Sequence, residues 1–176
     1  MQIERDTEVP GTPERAFALV DDLSAYPRWM DLVHEVHEVP ATEDQRTWDV
    51  ELQAQVGPFA RSKRLRMVRT IHEPGRRVVF ERAEIDGRRH SSWILSATLN
   101  PVSNPVSNSV SNSVSNPVSN SESSDAEHTR LVMTLTYGGN LWTGAVLQRV
   151  LDDHVERGAN ALRALLVETD VADDAT

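Results

Sequence analysis

The chain has 176 residues, a length typical of one domain, and its formal net charge is -9 at pH 7. It contains no cysteine, which excludes disulfides, thiol catalysis and thiolate metal sites. Lys63 is the only lysine among 18 basic residues, so the acidic chain is poorly suited to nucleic-acid phosphates. It shows no signal peptide and no apolar run near the ~20 residues of a membrane span, so we expect a soluble cytoplasmic protein without nucleic-acid partners.

The first predicted elements are a strand and two short helical segments. Residues 2–9 alternate in polarity as a strand does. Thr12 is placed to cap a helix that begins at Pro13, because threonine is a good N-cap and proline is favoured in the first turn. A second short helical or turn segment is expected over residues 23–33, with Ser24 as its cap.

Two strands with a clear inner face come next. In residues 47–56 every second residue is apolar, which predicts a half-buried strand. Residues 60–73 continue the alternation after a turn at Gly57-Pro58. The inward face of this second strand is expected to carry Leu65, Met67, Arg69 and Ile71.

A β-hairpin is predicted at residues 86–87, where Asp-Gly is a strong signal for a two-residue turn. Such a turn would pair Phe80 with Trp93 and Val78 with Leu95. This register places the four apolar side chains on one face, so the turn chemistry and the hydrophobic pattern agree.

A four-residue repeat, Val-Ser-Asn after Pro or Ser, fills most of residues 101–124. Alternation predicts a strand on each side of it, over residues 90–99 and 128–137. Pro, Ser and Asn favour turns, and the five valines of the repeat are too few for a core. We expect one domain over residues 1–169, interrupted at 101–124 by an exposed low-complexity loop and followed by a frayed acidic tail at 170–176. The loop is either a tolerated repeat expansion, or a flexible tether or partner-binding segment.

The longest helical pattern runs over residues 140–168. Apolar residues at spacings of three and four form one stripe along it, and this stripe includes His154 and Gly158. The element order is strand, two short helices, further antiparallel strands and one long helix. It predicts an α+β fold in which a curved antiparallel sheet of about six to seven strands wraps around the C-terminal helix.

Residues 9–36, VPGTPERAFALVDDLSAYPRWMDLVHEV, resemble the opening of the START-like or SRPBCC superfamily, which includes the polyketide cyclase/dehydrase and lipid-transport group. In that family a strand ends in V-x-x-P-x-E-x-A/V-F/W and is followed by D-x-x-x-Y-P-x-W. The resemblance covers nearly everything except the repeat and is more specific for fold than for chemistry. The matching positions are Val9, Pro13, Phe17, Asp22, Tyr26, Pro27 and Trp29.

The resemblance implies a helix-grip (Bet v 1/START-like) fold that encloses a deep, mostly apolar cavity between the sheet and the last helix. Such a cavity buries most of a hydrophobic ligand and orients it with a few polar groups. Alternation predicts which side chains face this space, although a solid core would need the same apolar residues. The expected ligand-binding residues are Trp29, Trp48, Val50, Leu52, Leu65, Met67, Arg69, Phe80, Trp93, Met133, Leu135, Tyr137, Trp142, Leu147, Leu151 and His154, with Trp29 and Trp142 at the ends.

Two of these residues are polar on an otherwise apolar face. Arg69 must meet an anion if it is buried, because an unpaired buried charge is costly. The anion is either a ligand carboxylate or phenolate, or an acid of the protein such as Glu81 or Glu84. His154 is the candidate general acid or base because its ordinary pKa is near neutrality, although a core or rim histidine is the simpler interpretation.

The basic run at residues 61–69 invites a nucleic-acid interpretation that the strand pattern does not favour. Alternation sends Arg64 and Arg66 to the outer face, where the neighbouring strand offers Asp49 and Glu51 as partners. We therefore predict a ladder of solvated ion pairs.

No cofactor or metal is expected. His34 and His37 are three residues apart, which on a strand puts them on opposite faces, and no further ligand completes a metal site. The sequence also has no glycine-rich phosphate loop and no nucleophile elbow.

Functions of different classes remain open. The first is binding or transport of a small hydrophobic molecule, such as a lipid, isoprenoid, quinone or polyketide, by a monomer or weak dimer. The second is a polyketide cyclase or dehydratase in which His154 with Tyr137 or Arg69 moves protons. A co-chaperone or partner-binding role is the third. The sequence favours the first, because it shows no tight acid/base cluster.

Overall fold

A computed structural model describes residues 2–40, 45–56, 59–83, 86, 88–102, 128–138, 153–154 and 156–167. Its elements are β1 Gln2–Pro10, α1 Pro13–Val20, a 3₁₀ helix Leu23–Arg28, β2 Val33–Val39, β3 Thr47–Val56, β4 Phe59–Glu73, β5 Arg77–Arg82, β6 Trp93–Val102 and β7 His128–Tyr137. Residues 153–154 and 156–167 are helical and form the described part of α2. The strands make one seven-stranded sheet in the order β1-β7-β6-β5-β4-β3-β2, with each neighbouring pair antiparallel.

The two short helices follow the predicted order, but one predicted cap is wrong. Thr12 caps α1 by accepting a hydrogen bond from the Arg15 backbone N–H at 3.4 Å, as predicted. The 3₁₀ helix is capped by Asp22 rather than Ser24, because the Asp22 carboxylate accepts from the Ser24 N–H at 2.8 Å. A carboxylate two residues upstream reaches the first free N–H of the turn better than the Ser24 hydroxyl does.

The strand β4 contains an irregularity that the alternation pattern does not show. Its register with β5 shifts between Arg69 and Ile71, so Arg69 lies opposite Phe80 while Ile71 lies opposite Val79. The extra residue turns the rest of the strand over. The prediction that Ile71 shares a face with Arg69 is therefore wrong.

The β5–β6 hairpin keeps the predicted faces with a different register. Phe80 lies opposite Leu95 and Val78 opposite Ala97, two residues further along β6 than predicted. The shift arises because β5 ends at Arg82 and β6 begins at Trp93, so the connection is longer than a two-residue turn. Because the side-chain period of a strand is two, this shift leaves each apolar side chain on its predicted face.

The strands that flank the repeat pair directly with each other, as predicted. β6 and β7 are antiparallel, and their last pair is Val102 opposite His128. The strand β6 includes Pro101 and Val102, so it continues into the first two residues of the repeat. Residues 103–127 lie outside the described part of the chain.

One hydrophobic core joins the sheet, the short helices and α2. α1 buries Ala16, Phe17 and Val20. α2 contributes Leu162 and Leu166, which lie one turn apart and are almost fully buried. The core thus lies on one side of the sheet, beneath the helices.

Candidate functional site

An apolar cavity of about 60 Å³ lies against the inner face of the sheet. Six strands, the 3₁₀ helix and the turn between this helix and β2 contribute to its wall. The described residues that line it are Ile3, Leu23, Tyr26, Met30, Leu32, Val33, Val50, Leu52, Leu65, Met67, Trp93, Leu95, Met133 and Leu135.

Half of this lining was predicted from the sequence. The residues concerned occupy alternate positions on β3, β4, β6 and β7, and the pairing of those strands places them side by side. They are Val50, Leu52, Leu65, Met67, Trp93, Met133 and Leu135.

The other half was missed for two reasons. Ile3 and Leu95 alternate correctly on β1 and β6, so strand periodicity could have identified them. The remaining residues belong to the 3₁₀ helix, the turn after it and the first position of β2, where no long period shows which way a side chain faces. These residues are Leu23, Tyr26, Met30, Leu32 and Val33.

Trp48 and Phe80 were expected at the cavity but are fully buried elsewhere in the core. Their rings meet edge to face with centroids 5.5 Å apart, and Phe80 also meets Tyr26 at 6.3 Å. The Trp48 indole N–H donates to Ser24 Oγ at 3.2 Å. These aromatic rings pack against one another in the core.

Trp29 packs beneath α2 and is not part of the described cavity lining. Its indole N–H donates to the Leu19 carbonyl at 3.2 Å, and its ring is 2% exposed. A Cβ added at Gly158 would lie 3.5 Å from the ring, so α2 crosses close above it. The other predicted end residue, Trp142, lies outside the described residues, as do Leu147 and Leu151.

An aromatic pair with a cation above it stands at the Trp93 end of the cavity. The rings of Trp93 and Tyr137 have centroids 5.0 Å apart. The Lys63 ammonium nitrogen lies 5.1 Å from the centre of the Trp93 ring and 5.5 Å from that of Tyr137. Lys63 is opposite Leu52 across the β3–β4 pair, which places it next to a lining residue.

Arg69 is bound by another residue of the protein and is not among the described lining residues. Its Nη1 donates to the Asp21 carbonyl at 3.2 Å and lies 3.8 Å from the Asp21 carboxylate. Partial burial, together with the nearby Arg46 charge, lowers the pKa of Arg69. The protein acid beside Arg69 is therefore Asp21, whereas Glu81 accepts a hydrogen bond from Thr70 and Glu84 lies outside the described residues.

His154 lies on the described part of α2 at the protein rim. Its Nδ1 is 3.2 Å from Nη2 of Arg157, and the Arg157 guanidinium also donates to Asp153 at 2.9 Å and to Asp31 at 3.1 Å. Partial burial, followed by the Arg157 charge, lowers the pKa of His154. The imidazole is thus kept neutral near pH 7 within a surface ion-pair cluster.

The outer face of the sheet carries the predicted ion-pair ladder. Arg64 donates to Glu51 at 2.8 Å, and Arg66 donates to both oxygens of Asp49 at 2.8 and 2.9 Å. An open groove of about 540 Å³ runs along this face. Although this groove is much larger than the apolar cavity, its charged side chains already pair across strands and it is open to water. We therefore take the smaller, apolar cavity as the candidate site.

The two histidines considered as metal ligands form no metal site with other residues in the described part of the chain. His34 lies at a second strand irregularity, between Val33 and Glu35, and both His34 and His37 are exposed. Within the described ranges no three His, Asp or Glu side chains are grouped to hold a metal ion. The described helices include none that is long and apolar enough to cross a membrane.

Comparison with protein families and solved structures gives a consistent result. The family model described as polyketide cyclase / dehydrase and lipid transport matches residues 1–167. Comparison with curated proteins gives no match.

Similar solved structures cover nearly the whole chain. A START superfamily protein from Mycobacterium smegmatis has a TM-score of 0.66 at 14% identity, over 96% of this chain and 98% of its own. The protein TTHA0849 from Thermus thermophilus has a TM-score of 0.63 at 16% identity, over 96% and 99%. The Zhui aromatase/cyclase from Streptomyces sp. R1128 has a TM-score of 0.59 at 12% identity, over 94% and 93%. These similarities confirm the predicted helix-grip fold.

Proposed function

The chain belongs to the polyketide cyclase/dehydrase and lipid-transport family, and we propose that it binds or carries a small hydrophobic molecule in the cavity on the inner face of its sheet. Candidate ligands of this class are lipids, isoprenoids, quinones and polyketide-like molecules. The family and the fold support a hydrophobic-ligand site, and the proposal assigns that site to the described cavity.

The observation that carries the proposal is the chemistry of the lining. Every described residue at the cavity is aliphatic, aromatic or methionine. The Tyr26 hydroxyl is already used, since it donates to the Val20 carbonyl at 3.0 Å. A surface of this kind favours an apolar ligand because it offers water few hydrogen bonds.

The cavity must enlarge to hold such a ligand. Its volume of about 60 Å³ is well below the roughly 300–1,000 Å³ typical of ligand pockets. Three of the four methionines in the chain, Met30, Met67 and Met133, line it. Methionine has three rotatable bonds and adapts its shape readily, so these side chains are suited to move aside.

The proposal is tested first by identifying a bound molecule. Native mass spectrometry of the protein purified from its own host should show a hydrophobic species that copurifies and is released on denaturation. A titration with the neutral apolar fluorophore phenylnaphthylamine should give saturable binding, with one probe per chain.

The two measurements also separate the proposed function from its alternatives. Absence of both a copurified molecule and saturable probe binding would contradict the proposal and favour a partner-binding domain. A candidate polyketone that returns from incubation with a changed covalent structure would indicate the cyclase or dehydratase activity.

A further inference from the structure

One of the three described tryptophans has a buried N–H without a hydrogen-bond partner. The indole N–H of Trp29 donates to the Leu19 carbonyl, and that of Trp48 donates to Ser24 Oγ. Trp93 is 9% exposed, its Nε1 atom is buried, and no residue within the described ranges accepts a hydrogen bond from it.

An unsatisfied donor at this position calls for a physical reason. Buried indole N–H groups usually find an acceptor, because leaving one unpaired forfeits the hydrogen bond it made with water. Phenylalanine would supply an apolar ring here without that cost. Trp93 lines the apolar cavity, so a ligand that enlarges the cavity at this end can bring an acceptor to the buried N–H.

The charge beside Trp93 defines the kind of acceptor. The Lys63 ammonium lies 5.1 Å from the centre of the Trp93 ring, within the range of a cation–π contact. An ammonium and an indole N–H close together favour an oxygen that carries negative charge, since charge-assisted hydrogen bonds are the stronger ones.

We propose that the ligand is an organic acid whose apolar body lies among the aliphatic side chains of the cavity. Its carboxylate, or an equivalent anionic oxygen, accepts a hydrogen bond from Trp93 Nε1 and pairs with the Lys63 ammonium. The proposal rests on the proposed function, because it assigns a head group to the ligand of the same cavity.

Three ligands that share a naphthalene ring separate the contribution of the hydrogen bond from that of the charge. Naphthalene has no acceptor, methyl naphthoate has a neutral acceptor, and naphthoate has an anionic one. We expect the full-length protein to bind naphthoate most tightly and naphthalene most weakly, measured by displacement of phenylnaphthylamine.

Two substitutions then test the two groups independently. Trp93→Phe should weaken binding of naphthoate and its ester by about tenfold, because it removes the N–H donor, whereas naphthalene, which has no acceptor, reports the effect of the smaller ring alone. Lys63→Met should weaken naphthoate alone by about tenfold or more, since only the anion uses the ammonium. Lys63→Arg keeps the charge and should retain most of the affinity for naphthoate.

A spectroscopic readout does not depend on the stability of the variants. On addition of naphthoate to the unmodified protein, the Trp93 indole N–H proton resonance should move downfield as it gains an acceptor. The resonances of Trp29 and Trp48, whose N–H groups already have acceptors, should move little and serve as internal controls.

The outcomes distinguish this proposal from the proposed function. Equal binding of all three ligands, or an unmoved Trp93 resonance when naphthoate is bound, would overturn the organic-acid proposal and leave a site for neutral apolar molecules. Failure of the protein to bind any of the three ligands or phenylnaphthylamine would overturn the proposed function itself.

Discussion

Buried polar groups in this protein differ in whether they have a hydrogen-bond partner. The Tyr26 hydroxyl, the Trp29 N–H and the Trp48 N–H each have a partner within 3.2 Å. The first two bonds join the 3₁₀ segment to α1, and the third joins β3 to the 3₁₀ helix. Burial raises the pKa of Tyr26, and the nearby Asp21 and Asp22 charges add to this effect, so the phenol stays protonated and donates. Of these three residues only Tyr26 lines the cavity, and its hydroxyl, unlike the Trp93 N–H, already has a hydrogen-bond partner.

Tyr26→Phe should reduce the free energy of unfolding by about 1 to 2 kcal/mol, because it leaves the buried Val20 carbonyl without its donor. Chemical denaturation at constant pH measures this loss. Tyr26→Leu is the comparison, and should cost more because it also removes the ring contacts with Trp29 and Phe80. An unchanged midpoint for Tyr26→Phe would show that the hydrogen bond contributes nothing net.

The Asp22–Arg46 pair predicts a pH dependence of stability. Burial alone would raise the pKa of Asp22, but hydrogen bonds from Ser24 and Arg46 outweigh it and hold the pKa below its ordinary value. The pair therefore stabilises the fold above the unfolded pKa of about 4, and this contribution is lost as the pH falls through the lower folded pKa.

Asp22→Asn keeps the cap acceptor but removes the charge. We expect it to be less stable than the parent at pH 7 by up to about 1 kcal/mol, since both partners are partly exposed. The difference should shrink below pH 4, measured by denaturant unfolding at several pH values. A difference that stays constant down to pH 3 would mean that the Asp22 charge has no role.

At the scale of elements, the sequence predicted which face of the sheet a side chain lies on better than it predicted bulges and strand register. The alternation of β3 and β7 placed their inward side chains correctly, because the period of a strand depends only on residue order. The sequence did not reveal the bulge after Arg69, because an apolar residue at Ile71 fits the strand pattern whether it lies on the inner or the outer face. The β5–β6 register was wrong by two residues because Asp-Gly is also common in longer loops.

The hairpin interrupted by the repeat predicts tolerance to shortening. Deletion of residues 104–123 leaves Ser103 and residues 124–127 to join β6 to β7, which suits a hairpin whose last pair is Val102 and His128. We propose that the repeat is dispensable, because the cost of loop closure grows slowly with length. The melting temperature of the deletion variant should match that of the parent. A clear loss of cooperative unfolding would show that the repeat packs on the domain.

At the scale of the molecule, the fold could be predicted from the sequence, whereas only part of the cavity lining could. The family motif over residues 9–36 and the strand periodicity together identified the α+β helix-grip fold. The 3₁₀ helix and the turn after it also contribute to the cavity wall, but their residues follow no regular period from which a facing direction could be predicted. The unpartnered N–H of Trp93 depends on distances to neighbours that a sequence does not contain.

The central claim is that the inner face of the sheet encloses usable space instead of a solid core. Leu65 and Leu99 test it as a matched pair, because both are leucines on the sheet with 3% and 2% exposure, and only Leu65 lines the cavity. In a solid core an added tryptophan overpacks and costs about 1 to 3 kcal/mol. Leu99→Trp is expected to behave in this way.

The most direct measurement is the melting temperature and phenylnaphthylamine binding of Leu65→Trp and Leu99→Trp on the same samples. We predict that Leu65→Trp melts close to the parent but no longer takes up the probe, because the new ring occupies the ligand space. Leu99→Trp should melt lower and still bind the probe while folded. Equal destabilisation of the two variants, together with no probe uptake by the parent, would contradict the account.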